Sequence, residues 1–82
     1  MAQMTRQEAL KMLAMAFQEP ESAVREGVSR ENLGGWDSMG ALALMAELDE
    51  RFGLLLTAET SRAMTRVDDI LEFLRKNGVL LD

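Results

Sequence analysis

Apolar residues recur along this chain at helical spacing, and strand-like alternation is hard to find. Leu10, Leu13, Ala14 and Phe17 keep the i, i+3, i+4, i+7 rhythm of one buried helical stripe. Thr5 and Glu8 stand ahead of it three residues apart, the capping-box spacing, so a first helix is predicted to start at Thr5. Pro20 pushes the residue before it out of the helical region and ends the pattern. Residues 18–36 then form a long connection holding Pro20, Gly27, Gly34 and Gly35, within which "PESAVRE" is expected to make a helical turn or two. Val24, Val28 and Leu33 are the candidates for pinning that loop to the core. A second helix is predicted over 38–52, capped by Asp37 or Ser38 and stopped by Gly53. Thr57 caps a short helix over about 58–62. "TRVD" opens a last one, with Val67, Ile70, Leu71 and Leu74 as its stripe and Asn77-Gly78 as its end. Three long helices and a short fourth make an all-α, three-to-four-helix bundle with a long loop between the first and second helices.

The second helix departs from the pattern of the others. At about 100° per residue, Ala41, Leu44, Met45, Leu48 and Phe52 fall together as a core stripe. Met39, Leu42, Ala43, Ala46 and Glu50 cluster on the other side, flanked by Glu47 and Asp49, and residues 39–46 carry no charge at all. A surface helix needs one apolar stripe. Full burial of a second is hard in 82 residues, which surround one thin core, so the second face is expected to be exposed and to bind a partner. Read more plainly, it is a set of good helix formers with a scattered exposed leucine.

Composition narrows the chemistry. With 82 residues the chain is expected to form a single domain over 1–82, without room for a large substrate-plus-cofactor pocket. A net charge of −5 argues against nucleic acid and anionic membranes as partners, and for basic patches on other proteins. The absence of His, Cys and Tyr removes the usual general base, thiol nucleophile and zinc ligands, so neither standalone catalysis nor a metal site is expected. No signal segment or membrane span is evident, so the cytoplasm is the compartment expected by default. The methionines Met4, Met12, Met15, Met45 and Met64 are expected to be core or surface filler.

Ser38 is predicted at the positive N-terminal end of the second helix, where free backbone N–H groups would stabilise an attached phosphate without a basic side chain. Taken alone, Asp-Ser before a helix is an ordinary cap worth about 1 kcal/mol. A serine-hydrolase elbow is excluded: the glycine it needs two residues before the serine is Trp36, and there is no histidine. Trp36 itself is expected to staple the first turn with its apolar body. The glycines before it are expected to leave the serine open to a visiting enzyme.

The stretch "LGGWDSMG" resembles the acyl carrier protein family, whose attachment motif is Asp-Ser-Leu at the start of the second helix; here it is Asp37-Ser38-Met39. The likeness continues through "ELDERFG" and the Thr65-Arg66-Val67 opening of the last helix, in matching order and total length. It implies that Ser38 receives a 4′-phosphopantetheine arm from a phosphopantetheinyl transferase using coenzyme A and Mg²⁺. The arm's thiol would hold acyl groups as thioesters for fatty acid, specialised lipid or polyketide-type biosynthesis. The chain would then be a monomeric carrier, not an enzyme. Asp37 would cap the helix and help recognition by the transferase. Met39, Leu42, Ala43 and Ala46 would give apolar docking contact, and Glu47, Asp49 and Glu50 would meet basic patches on acyl-loading and acyl-processing enzymes. Met39 replaces the commoner leucine, and Gly40 and Ala43 stand where many fatty-acid carriers are acidic, which leans towards a specialised pathway. An aminoacyl or peptidyl carrier shares the same attachment chemistry. A non-catalytic helical adaptor, with Ser38 only a cap, is the alternative of another class.

Overall fold

The computed structural model describes residues 3–81. Among these described residues four α-helices follow one another: α1, Arg6–Phe17; α2, Ser38–Phe52; α3, Ala58–Ala63; and α4, Val67–Lys76. The Cα radius of gyration is 11.3 Å, close to the ~12 Å of a compact chain of this length.

The local signals explain most of the boundaries. Thr5 Oγ1 accepts the Glu8 N–H at 3.1 Å, and the Glu8 carboxylate accepts the Thr5 N–H at 2.8 Å, so the box closes at both ends. α1 stops at Phe17, ahead of Pro20, because Gln18 turns left-handed at φ 53° and its N–H bonds back to the carbonyls of Ala14 and Met15. Gly53 ends α2 in the same conformation at φ 62°, where glycine carries no Cβ penalty. Thr57 Oγ1 caps α3 through the Thr60 N–H at 3.1 Å.

At the start of α4 the capping carboxylate belongs to Asp69, one residue beyond the predicted "TRVD" box. It accepts the backbone N–H groups of Thr65 at 2.9 Å and Arg66 at 3.1 Å. Asp68 instead accepts the Gly27 N–H at 2.6 Å and ties the long loop to α4. The Thr65 N–H, chiefly, holds the Asp69 carboxyl below its ordinary value; the Arg66 N–H, the Thr65 hydroxyl and the Arg66 charge add to this, against partial burial.

The all-α expectation needs one correction. Met4–Thr5 and Leu80–Leu81 form two short strands, β1 and β2, paired in parallel with Met4 opposite Leu80. Two residues are too few to show alternation, and the partners lie at opposite ends of the chain.

The core gathers Met12, Leu13 and Phe17 from α1, Leu44 and Leu48 from α2, and Val67, Ile70 and Leu74 from α4. Each such side chain contributes about 1.5–3 kcal/mol through burial. Val24 and Leu33 are buried and Val28 packs against them, so the loop is pinned as predicted. The loop carries two 3-10 turns, Glu21–Ala23 and Arg30–Asn32; the first falls within "PESAVRE" with Pro20 just ahead of it. Of the methionines expected as filler, Met4, Met12 and Met64 are core, Met45 is half-buried and Met15 is exposed. No helix among the described residues is long and apolar enough to cross a membrane.

Candidate functional site

The start of α2 is fixed from three directions. The Asp37 carboxylate caps it, its Oδ1 accepting the Gly40 N–H at 2.9 Å. The first main-chain helical bond runs from the Ala41 N–H to the Asp37 carbonyl at 2.9 Å, so the N–H groups of Ser38 and Met39 precede the helical ladder. Ser38 is the first helical residue and is exposed.

From the loop side, Glu19 Oε2 accepts the Gly35 N–H at 2.7 Å, and Arg30 Nε donates to the Trp36 carbonyl at 3.1 Å. Trp36 is buried, its ring stacked on Phe17 of α1 with centroids 5.2 Å apart and planes within 8°. The Arg30 guanidinium lies 5.2 Å from the ring centroid, within cation–π range. The tryptophan thus anchors the loop to α1. Its Nε1 is buried without an acceptor among the described residues.

From α1, the Phe17 backbone closes on Gly35, and the Phe17 ring and the Gly35 backbone close on Gly40. A Cβ on Gly35 would fall 1.6 Å from the Phe17 carbonyl oxygen, and one on Gly40 would fall 2.0 Å from the Gly35 carbonyl oxygen. Gly35 therefore serves close packing rather than an open approach to the serine. Gly40 is buried, not part of the exposed face, and its lack of charge says nothing about what docks there.

The second face of α2 is open. Met39 is 77% exposed and Leu42 62%, large values for apolar side chains one turn apart. Ala46, Asp49 and Glu50 are exposed, while Ala43 and Glu47 are half-buried. Glu47 Oε1 accepts from Arg51 Nε at 2.8 Å, so its charge is already paired, whereas Asp49 and Glu50 have no ion pair among the described residues. Leu55, just beyond α2, is 76% exposed.

Spacing along the sequence found the serine, its cap and the apolar face. It missed Glu19, Arg30 and Phe17, which hold the helix start from 8 to 21 residues away. The signal was a charged residue inside a loop that buries Val24 and Leu33, which does not say what the charge is for. Compared with protein-family models, curated proteins and solved structures, the chain matches none.

Proposed function

We propose that this chain is a phosphopantetheine-bearing acyl carrier, a small helical bundle with Ser38 as the attachment point. The observation that carries the reading is an exposed serine at the first position of a capped helix, with Met39 and Leu42 exposed directly behind it. The resemblance of Asp37-Ser38-Met39 to the carrier motif stands beside it.

The residues fit an attached phosphodiester. Ser38 is exposed, and the N–H groups of Ser38 and Met39 offer a positive helix end to a monoanion. The nearest carboxylate, Asp37, is engaged by the Gly40 N–H. On loading by a transferase with Mg²⁺, the Ser38 hydroxyl loses its proton and an Oγ–P bond forms. The bond from that phosphorus to the bridging oxygen of coenzyme A breaks, the nucleotide half leaves as adenosine 3′,5′-bisphosphate, and the serine proton passes to a base of the transferase. When attached, the arm supplies the thiol this chain lacks and holds acyl groups as thioesters.

α2 is then the docking surface. Met39 and Leu42 give apolar area, Ala43 and Ala46 allow close approach, and Asp49 and Glu50 meet Lys or Arg on acyl-loading and acyl-processing enzymes. Exposed ion pairs give about 0.2–1 kcal/mol each, so docking is weak, salt-sensitive and quick to exchange. Met39 and Ala43 make the start of the face apolar, which favours partners in a specialised pathway.

The test is intact-mass spectrometry after incubation with coenzyme A, Mg²⁺ and a broad-range phosphopantetheinyl transferase. A gain of one phosphopantetheine, absent in Ser38→Ala, is expected. Ser38 is exposed and makes no side-chain hydrogen bond among the described residues, so Ser38→Ala should stay within about 0.5 kcal/mol of the parent stability and serve as a folded control. An unmodified protein would overturn the reading and leave the adaptor.

A further inference from the structure

A narrow cleft of about 280 Å³ runs between the end of α1 and the first turns of α2. Ala16 and Gln18 line it from one side, and Asp37, Met39, Gly40 and Ala43 from the other. Both chain neighbours of Ser38 are thus in its wall. Two wider grooves lie elsewhere: one reaches Arg51 and Phe52 at the far end of α2, and the other lies between Arg30 and Arg66. Of these three, the cleft is the one whose wall holds the chain neighbours of the proposed attachment point; Ser38 itself lies outside that wall, at its edge in sequence.

Its chemistry is mixed along its length. Ala16, Met39 and Ala43 present apolar surface. Gln18 lines it as well and is exposed, its backbone N–H bonded to the carbonyls of Ala14 and Met15 and its side-chain amide without a hydrogen-bond partner among the described residues. Gln18 is also the one non-glycine residue with positive φ among the described residues, at 53°. Glycine or asparagine is usual where a helix ends this way, so a glutamine there keeps an amide at the cleft at some conformational cost. The volume lies just below the ~300–1,000 Å³ of ordinary ligand pockets, which suits a slender chain and excludes a bulky cargo.

We propose that this cleft is the resting groove of the pantetheine portion of the arm, with Gln18 bonding one of its amides and Met39 and Ala43 packing on its methyl groups. The inference rests on the carrier reading of Ser38. Met39 belongs both to the cleft wall and to the exposed docking face, so a partner that covers Met39 disturbs the groove. Docking and release of the arm are then coupled through one side chain.

The experiment compares isotope-labelled protein before and after loading by NMR, with loading verified by mass. Shifts confined to residues 37–40 would come from the phosphodiester alone. The diagnostic signals are at Ala16 and Gln18, far from Ser38 in sequence. The expected result is a shift of the Gln18 side-chain amide, with cross-peaks from the arm's geminal methyls to the Ala43 and Met39 methyls. In loaded Gln18→Gly, which keeps the left-handed turn without the amide, and in loaded Ala43→Glu, those cross-peaks should be lost and the arm resonances should move to their positions in free coenzyme A. Arm resonances already at those positions in the parent protein, without contacts to Ala16, Gln18 or Ala43, would overturn the groove and leave the carrier reading intact. Failure to load at all would overturn both.

Discussion

An alanine at position 40 would place its Cβ 2.0 Å from the Gly35 carbonyl oxygen and 3.0 Å from the Phe17 ring. Two effects oppose each other there. Helix propensity favours alanine over glycine by about 1 kcal/mol. Overpacking costs typically about 1–3 kcal/mol, and a backbone atom 2.0 Å away has little freedom to yield, so the clash should win. Gly40→Ala is therefore expected to lower stability by about 1–2 kcal/mol in urea unfolding and to slow loading of Ser38. A neutral or stabilising result would mean that the loop end gives way freely. Two residues earlier, Ser38 has no such packing duty, which is why its hydroxyl is open to chemistry.

Among the elements, α2 and α4 make different claims on charge. On α2 the acidic residues are not equivalent, since Glu47 is held by Arg51 and Glu50 is not. Glu50→Lys should weaken association with a basic partner more than Glu47→Lys does, and the gap should close as salt rises. Titration calorimetry or loading kinetics at two ionic strengths measures this, and equal effects would show that the acidic face acts only through net charge. On α4 the depressed Asp69 carboxyl favours the ionised form in the fold. Its stabilisation is present above the ordinary value of 3.8 and is lost as pH falls through the lower folded value. Melting temperatures followed downward from pH 5 should therefore fall more steeply in the parent than in Asp69→Asn. Parallel curves would remove Asp69 from the acid transition.

For the molecule as a whole, the first and last described segments are joined. The Met4 N–H donates to the Val79 carbonyl at 2.9 Å, the Gln3 amide donates to the Gly78 carbonyl at 2.8 Å, and Met4, Val79 and Leu80 enter the core. Truncating Met4 to alanine should cost about 2–5 kcal/mol, a large share of the ~5–15 kcal/mol that holds a small domain folded. A loss under about 1 kcal/mol in denaturant unfolding would show that the N-terminal strand frays independently of the core.

The sequence by itself determined what is local. Capping at Thr5 and Thr57, the stop at Gly53, the stripe of Val67, Ile70, Leu71 and Leu74, and the two-faced character of α2 all follow from residues within a turn or two of each other. Spacing at that range is set by helix geometry alone. Tertiary structure decided whatever depends on two distant stretches meeting: the parallel pairing of Met4–Thr5 with Leu80–Leu81, Trp36 on Phe17, Arg30 reaching the Ser61 and Met64 carbonyls, the exclusion of any side chain at Gly40, and the cleft at Gln18. Those contacts have no period to read, because their partners are brought together only when one shared core closes. The candidate serine was legible because its exposure depends on its own helix start. The surface around it was not, because α1 and the long loop build half of it.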